Sequence, residues 1–102
     1  MEKVLNYLGI ARRAGFIVMG TDAVLDNLRF GKIKMIFVAS DSSQATIEKV
    51  EKKGIYYHIP VIKKYSTDEL SQALGTQNSK VIGLKDQGIK KAIKVELERG
   101  DL

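Results

Sequence analysis

Apolar residues along this chain alternate between two spacings. Val4, Leu5, Leu8 and Ala11 recur at intervals of three and four, the repeat of a helix with one buried side, so residues 2–14 are expected to be helical. Arg12 and Arg13 fall in the last turn, where cations complement the negative end of the helix dipole; contact with nucleic acid is the second reading of the pair. Gly15 supplies a left-handed stop. Phe16-Ile17-Val18-Met19 is a short unbroken apolar run and reads as a strand, broken by Gly20. Val24, Leu25 and Leu28 give the next stretch an apolar side. A second helix is expected over about 22–30, with Thr21 as its N-cap, Asp22 at its positive end and Gly31 as its stop. Lys34-Met35-Ile36-Phe37-Val38-Ala39 then reads as a buried strand running into Ser40-Asp41.

The second half continues the alternation. Ser40 to Ser43 closes the strand and caps a third helix, about 44–53, with Ile47 and Val50 facing inward and Gly54 ending it. Ile59-Pro60-Val61-Ile62 reads as a strand, and Pro60, which has no N–H to give a ladder, places it at an edge. Ser66-Thr67-Asp68-Glu69 is a capping box that opens a short helix burying Leu70, Ala73 and Leu74, ended by Gly75. After the polar loop Thr76-Gln77-Asn78-Ser79 comes a fourth strand, Lys80 to Leu84. Asp86 caps a final helix on which Ile89, Ile93 and Leu97 stack at spacing four, with Lys90, Lys91 and Lys94 on the wet side. Helix and strand in turn within 102 residues predict one α/β domain, a three-layer α/β/α sandwich around a sheet of about four strands.

Charge narrows the partners. The net charge is +5, and residues 52–102 carry most of the excess, with 10 Lys and Arg against 6 Asp and Glu. Such a balance suits a polyanion. There is no cysteine, hence no disulfide framework and no thiolate metal site. No apolar run approaches the ~20 residues that span a bilayer, and Met1 to Tyr7 lacks the pattern of a signal peptide. A cytoplasmic protein with no membrane partner is expected.

Catalytic chemistry is not legible. His58 is the lone histidine, beside Tyr56 and Tyr57, and has no metal-ligating companions. No serine sits in a Gly-x-Ser-x-Gly turn and there is no phosphate-binding Gly-x-x-x-x-Gly-Lys loop. Asp22 and Asp26 lie one helical turn apart, but nothing adjoining supplies further ligands. The Tyr56-Tyr57 pair has two readings: stacking on bases, or one ring packed inward and the other in water. The expectation is a protein that is not an enzyme, with no metal, cofactor or small-molecule substrate.

One arrangement carries more. Leu8-Gly9-Ile10-Ala11-Arg12-Arg13-Ala14-Gly15, the span Gly20 to Gly31, the strand Lys34 to Asp41, and Glu69 to Gly75 together resemble the kink-turn RNA-binding ribosomal-protein family of L-seven-Ae type, with the bacterial YlxQ-type members most alike. The likeness runs from about Val4 to Leu97. It implies an α/β/α sandwich with a mixed sheet, and non-catalytic binding of structured RNA, of kink-turn or ribosomal kind. In such a protein the helix after Gly20 points its N-terminus at bent RNA and reads base edges, and the loop after Gly75 supports a flipped-out nucleotide. The residues this implicates are Met19, Gly20, Thr21, Asp22 and Asp26, with Thr76, Gln77 and Asn78. The physics suits the role. Helix N-termini present unbonded N–H groups and partial positive charge, glycine allows close approach, and kinked RNA exposes edges that a regular duplex hides. Where the family carries an amide or cation, a Glu or Gln, and a lysine, this chain has Asp22, Ala23 and Asp26. Those three residues motivate a second reading: a protein-interaction or regulatory module on the same fold.

Overall fold

The computed structural model describes residues 2–100; Met1, Asp101 and Leu102 lie outside the described residues. Five helices alternate with four strands: α1 (Lys3–Arg13), β1 (Ile17–Met19), α2 (Thr21–Arg29), β2 (Met35–Val38), α3 (Gln44–Tyr57), β3 (Val61–Ile62), α4 (Thr67–Leu74), β4 (Val81–Leu84) and α5 (Gln87–Gly100). The strands form one sheet in the order β1-β4-β2-β3. β4 runs antiparallel to both β1 and β2, while β2 and β3 are parallel, so the sheet is mixed. Pro60 sits at the entrance to edge strand β3, and its carbonyl accepts the Ile36 N–H at 2.9 Å.

The two-residue period of β2 divides the core. Met35 and Phe37 point to one face of the sheet, with Val4, Leu8 and Ala11 of α1, Leu70 and Leu74 of α4, and Ile93 of α5. Ile36 and Val38 point to the other, with Val24 and Leu28 of α2 and Val50 of α3. Both faces are thus covered, which is why β2 and β4 are buried along their whole length rather than alternating. Each such Leu, Ile, Val or Phe is worth roughly 1.5–3 kcal/mol of burial. The three-layer sandwich expected from the alternation is present.

Local signals hold at most helix ends. Ser43 accepts the Thr46 N–H at 3.2 Å. Ser66 and Glu69 form the reciprocal capping box, at 3.1 and 3.0 Å. Asp86 accepts the Ile89 N–H at 2.8 Å. Two expectations are corrected. Gly54 does not end α3, which continues to Tyr57 and closes on His58 in the left-handed region at φ 59°. Gly54 is instead a packing glycine: a β-carbon there would stand 2.5 Å from Val61 Cγ2 and 3.0 Å from the Ile59 carbonyl oxygen. Tyr56 and Tyr57 therefore lie on the last turn of a helix; Tyr56 is exposed, and Tyr57 packs edge-on against it and into the second core cluster.

The second correction concerns α2. Gly20, not Thr21, is the N-cap, and Thr21 is the first helical residue. Gly20 has φ 100° and ψ 144°, a conformation that only glycine adopts without strain.

Candidate nucleic-acid interface

β1 pairs with β4 through Met19 opposite Ile82. The ladder extends one step beyond the strands, where the Gly20 N–H donates to the Val81 carbonyl at 2.9 Å. This bond brings the start of α2 beside the loop that precedes β4. Met19, Gly20, Thr21, Thr76, Gln77 and Asn78, six of the residues singled out in the sequence, line one open cleft of about 500 Å³ with Ser79, Lys80 and Val81. Asp22 and Asp26 do not line it; both stand exposed on α2.

Among the described residues, no side chain caps α2. Its first backbone bond runs from the Val24 N–H to the Gly20 carbonyl at 2.9 Å, which leaves the N–H groups of Thr21, Asp22 and Ala23 without an intrahelical acceptor. Gly20, Asp22 and Ala23 are exposed and Thr21 is half-buried, so the first turn of α2 lies at the surface. Three donors without an intrahelical acceptor and the positive end of a dipole therefore lie at the surface, with Gly20 and Thr21 on the cleft wall.

The opposite wall is tied down by hydrogen bonds. Gly75 ends α4 in the left-handed region at φ 71°. The Thr76 N–H then donates to the Ser71 carbonyl and the Ser79 N–H to the Ser71 hydroxyl, both at 2.9 Å. Thr76 and Ser79 share a hydroxyl–hydroxyl bond. Pinned at both ends, the loop turns through Asn78 at φ 56°, which an Asn tolerates better than most residues. Gln77 and Asn78 are exposed, and each amide side chain offers both a donor and an acceptor.

Lys80 belongs to this site and was not singled out in the sequence, where it reads only as the first residue of a strand. It is exposed, and its ammonium donates to the Thr67 hydroxyl at 3.1 Å. Thr67 in turn donates to Asp41, from its N–H and its hydroxyl, each at 2.8 Å. These bonds from Thr67, with a smaller contribution from Lys80, hold the Asp41 carboxyl below its ordinary value. Asp41 thus ties the end of β2 to the start of α4 and steadies the cation of the cleft. The available signal was a lysine directly after a polar loop, which is too common to be specific.

The other candidate chemistry lies elsewhere. His58 and Tyr56 are at the β3 side of the sheet, three strand spacings, or about 15 Å, from β1. Lys90, Lys91 and Lys94 are on α5 and do not reach the cleft lining. No group of three or more His, Cys, Asp or Glu positioned for a metal occurs among the described residues. None of the described helices is long and apolar enough to cross a membrane.

Known proteins share this frame. The chain is 36% identical over 97 residues to the RNA-binding protein YlxQ of Enterococcus faecium, covering 95% of this chain and 93% of that one. It is 35% identical over 81 residues to RNA-binding protein YlxQ of Bacillus subtilis (strain 168), covering 79% and 81%. Among solved structures, a Bacillus halodurans protein of unknown function superposes with a TM-score of 0.92 at 28% identity, over 96% of this chain and 99% of that one. The Giardia lamblia 15.5kD RNA binding protein shares the fold, with a TM-score of 0.81 at 14% identity over 97% and 88% of the two chains. Neither the curated relatives nor the matching family is named for a catalytic activity. The model of the Ribosomal protein L7Ae/L30e/S12e/Gadd45 family matches residues 2–94, and the chain belongs to that family.

Proposed function

We propose that this protein binds structured RNA without catalysis, seating a bent, kink-turn-like segment in the cleft between the α2 start and the Thr76–Asn78 loop. Ribosomal RNA is the natural source of such a segment for a member of this family. The observation that carries the reading is the surface helix start past Gly20, three amides without an intrahelical acceptor, whose Gly20 and Thr21 line one cleft with a hydrogen-bonded polar loop. The names of the YlxQ relatives and the net charge of +5 support it. The division of labour follows from charge. Asp22 repels phosphate but accepts hydrogen bonds from base amino groups, so the helix start meets base edges. Lys80 and the amides of Gln77 and Asn78 meet the backbone.

Titration of a kink-turn RNA and an unbent duplex at 50 and 200 mM salt tests this. The kink-turn RNA should bind more tightly, and its affinity should fall steeply with salt as phosphate contacts release counterions. Asp26→Lys places a cation one turn from the helix start and should tighten binding by about threefold to tenfold at low salt, with a steeper salt slope. A neutral effect of Asp26→Lys would place the RNA away from α2. The exposed Asp22 and Asp26 favour the second reading, a protein-interaction module; no binding of either RNA at low salt would put it in place of the first.

A further inference from the structure

The sequence favours Arg12 and Arg13 as charge complements to the end of their own helix over contact with nucleic acid, and the structure gives them other surroundings. The Arg12 guanidinium donates to the Leu74 carbonyl at the C-terminus of α4, not to a carbonyl of α1. Arg13 is exposed and leans back over Gly9, its Nη1 3.5 Å from where a β-carbon at Gly9 would stand. Both line a groove of about 380 Å³ between α1 and α4 that contains no carboxylate. Neither forms an ion pair among the described residues, whose salt bridges involve Lys3, Lys63 and Arg99 instead. The groove ends at Gly75, and the cleft described above begins at Thr76. The groove and the cleft therefore adjoin at the Gly75–Thr76 peptide, and two guanidinium groups without an ion pair among the described residues line the groove.

We propose that the RNA footprint continues across the Gly75–Thr76 peptide into this groove, where Arg13, with Arg12 behind it, holds a backbone phosphate of the strand leaving the cleft. This rests on the cleft being the RNA site. The chemistry is that of an open anion-binding groove. Guanidinium presents forked donors that match phosphate geometry and does not lose its proton. Gln72 on the facing helix adds an amide donor to the same groove. Arg12 is anchored by its bond to Leu74, so it contributes position and field, while Arg13, unbonded among the described residues, is left to reach the ligand.

The test uses the full chain and the same kink-turn RNA, titrated from 50 to 200 mM salt. Arg13→Gln keeps a polar side chain but shortens it and removes the charge, and Arg13→Lys restores the charge on a long side chain. Asn78→Ala probes the cleft in parallel, and far-ultraviolet circular dichroism with urea midpoints verifies that each variant is folded. The expected result is a loss of about threefold to tenfold for Arg13→Gln at low salt, shrinking as salt rises, with the slope of log affinity against log salt reduced by about one. Arg13→Lys should recover part of that loss. Unchanged affinity and slope for Arg13→Gln, with Asn78→Ala weakened, would overturn the extended track and leave the cleft reading intact. Loss with Arg13→Gln but none with Asn78→Ala would overturn the cleft reading and, with it, a track that starts there. Absence of RNA binding by the unaltered protein would overturn both.

Discussion

Replacing Gly20 by alanine separates what the backbone needs from what a ligand needs. Gly20 sits at φ 100° and ψ 144°, and a β-carbon there would meet nothing within 4 Å. No neighbour forbids the side chain, so the whole penalty is conformational, about 1–3 kcal/mol for a residue held in this region. Taking about 2 kcal/mol, a domain of this size should lose roughly 8–16 °C in melting temperature. Relaxation of the strain turns the residue toward negative φ, which misaligns the Gly20 N–H with the Val81 carbonyl and re-aims the three amides that follow. Losing one hydrogen bond from those amides to a base edge, worth about 0.5–1.5 kcal/mol between neutral groups, lowers affinity by about twofold to tenfold. Gly31→Ala is the matched control. Gly31 also has positive φ, 71°, also has open space, and lies past the far end of α2. It should cost about 1–2 kcal/mol of stability and leave the RNA affinity of the folded protein alone. Urea unfolding gives the first quantity and RNA titration at a temperature where both variants are folded gives the second. If Gly20→Ala is destabilised yet binds RNA like the unaltered protein, the amides past Gly20 do not touch the ligand. If it is not destabilised, the positive φ carries no strain and the reasoning fails at its first step.

Two further outcomes follow from the fold. Asp41 has its carboxyl pKa lowered by the Thr67 hydrogen bonds from the ordinary 3.8, so its contribution to stability is complete above about pH 5, declines below the unfolded value and is lost as pH falls through the folded one. Urea midpoints between pH 6 and pH 2 should therefore fall less steeply for Asp41→Asn than for the unaltered protein; parallel curves would refute the linkage. Gly54→Ala should destabilise by about 1–3 kcal/mol despite improving helix propensity, because the new methyl meets Val61 Cγ2 at 2.5 Å. Adding Val61→Ala should recover part of that in a double-mutant cycle, and strict additivity would show that the contact is not the cause.

The sequence alone determined the succession of elements, because each is encoded within a few residues. Helical spacing in Val4 to Ala11, the unbroken apolar run Met35 to Val38, and the Ser66–Glu69 box act over a few residues and need no distant partner. It also determined that both sheet faces are covered, since β2 and β4 carry no polar face to give to water. It implicated the two stretches of the candidate site, Met19–Thr21 and Thr76–Asn78, through family likeness, but could not join them by physics. Tertiary structure decided the rest. The order β1-β4-β2-β3 places the two stretches side by side through one bond, from Gly20 to Val81. Pairing between strands so far apart in the chain depends on which apolar faces pack together, not on local periodicity. The same cause explains the misreadings. Gly54 was legible as a stop only until β3 was seen pressing on it. Thr21 was legible as a cap only until the Val81 bond fixed Gly20 at positive φ. Arg12 found its acceptor on another helix, at Leu74, a contact that no local pattern encodes.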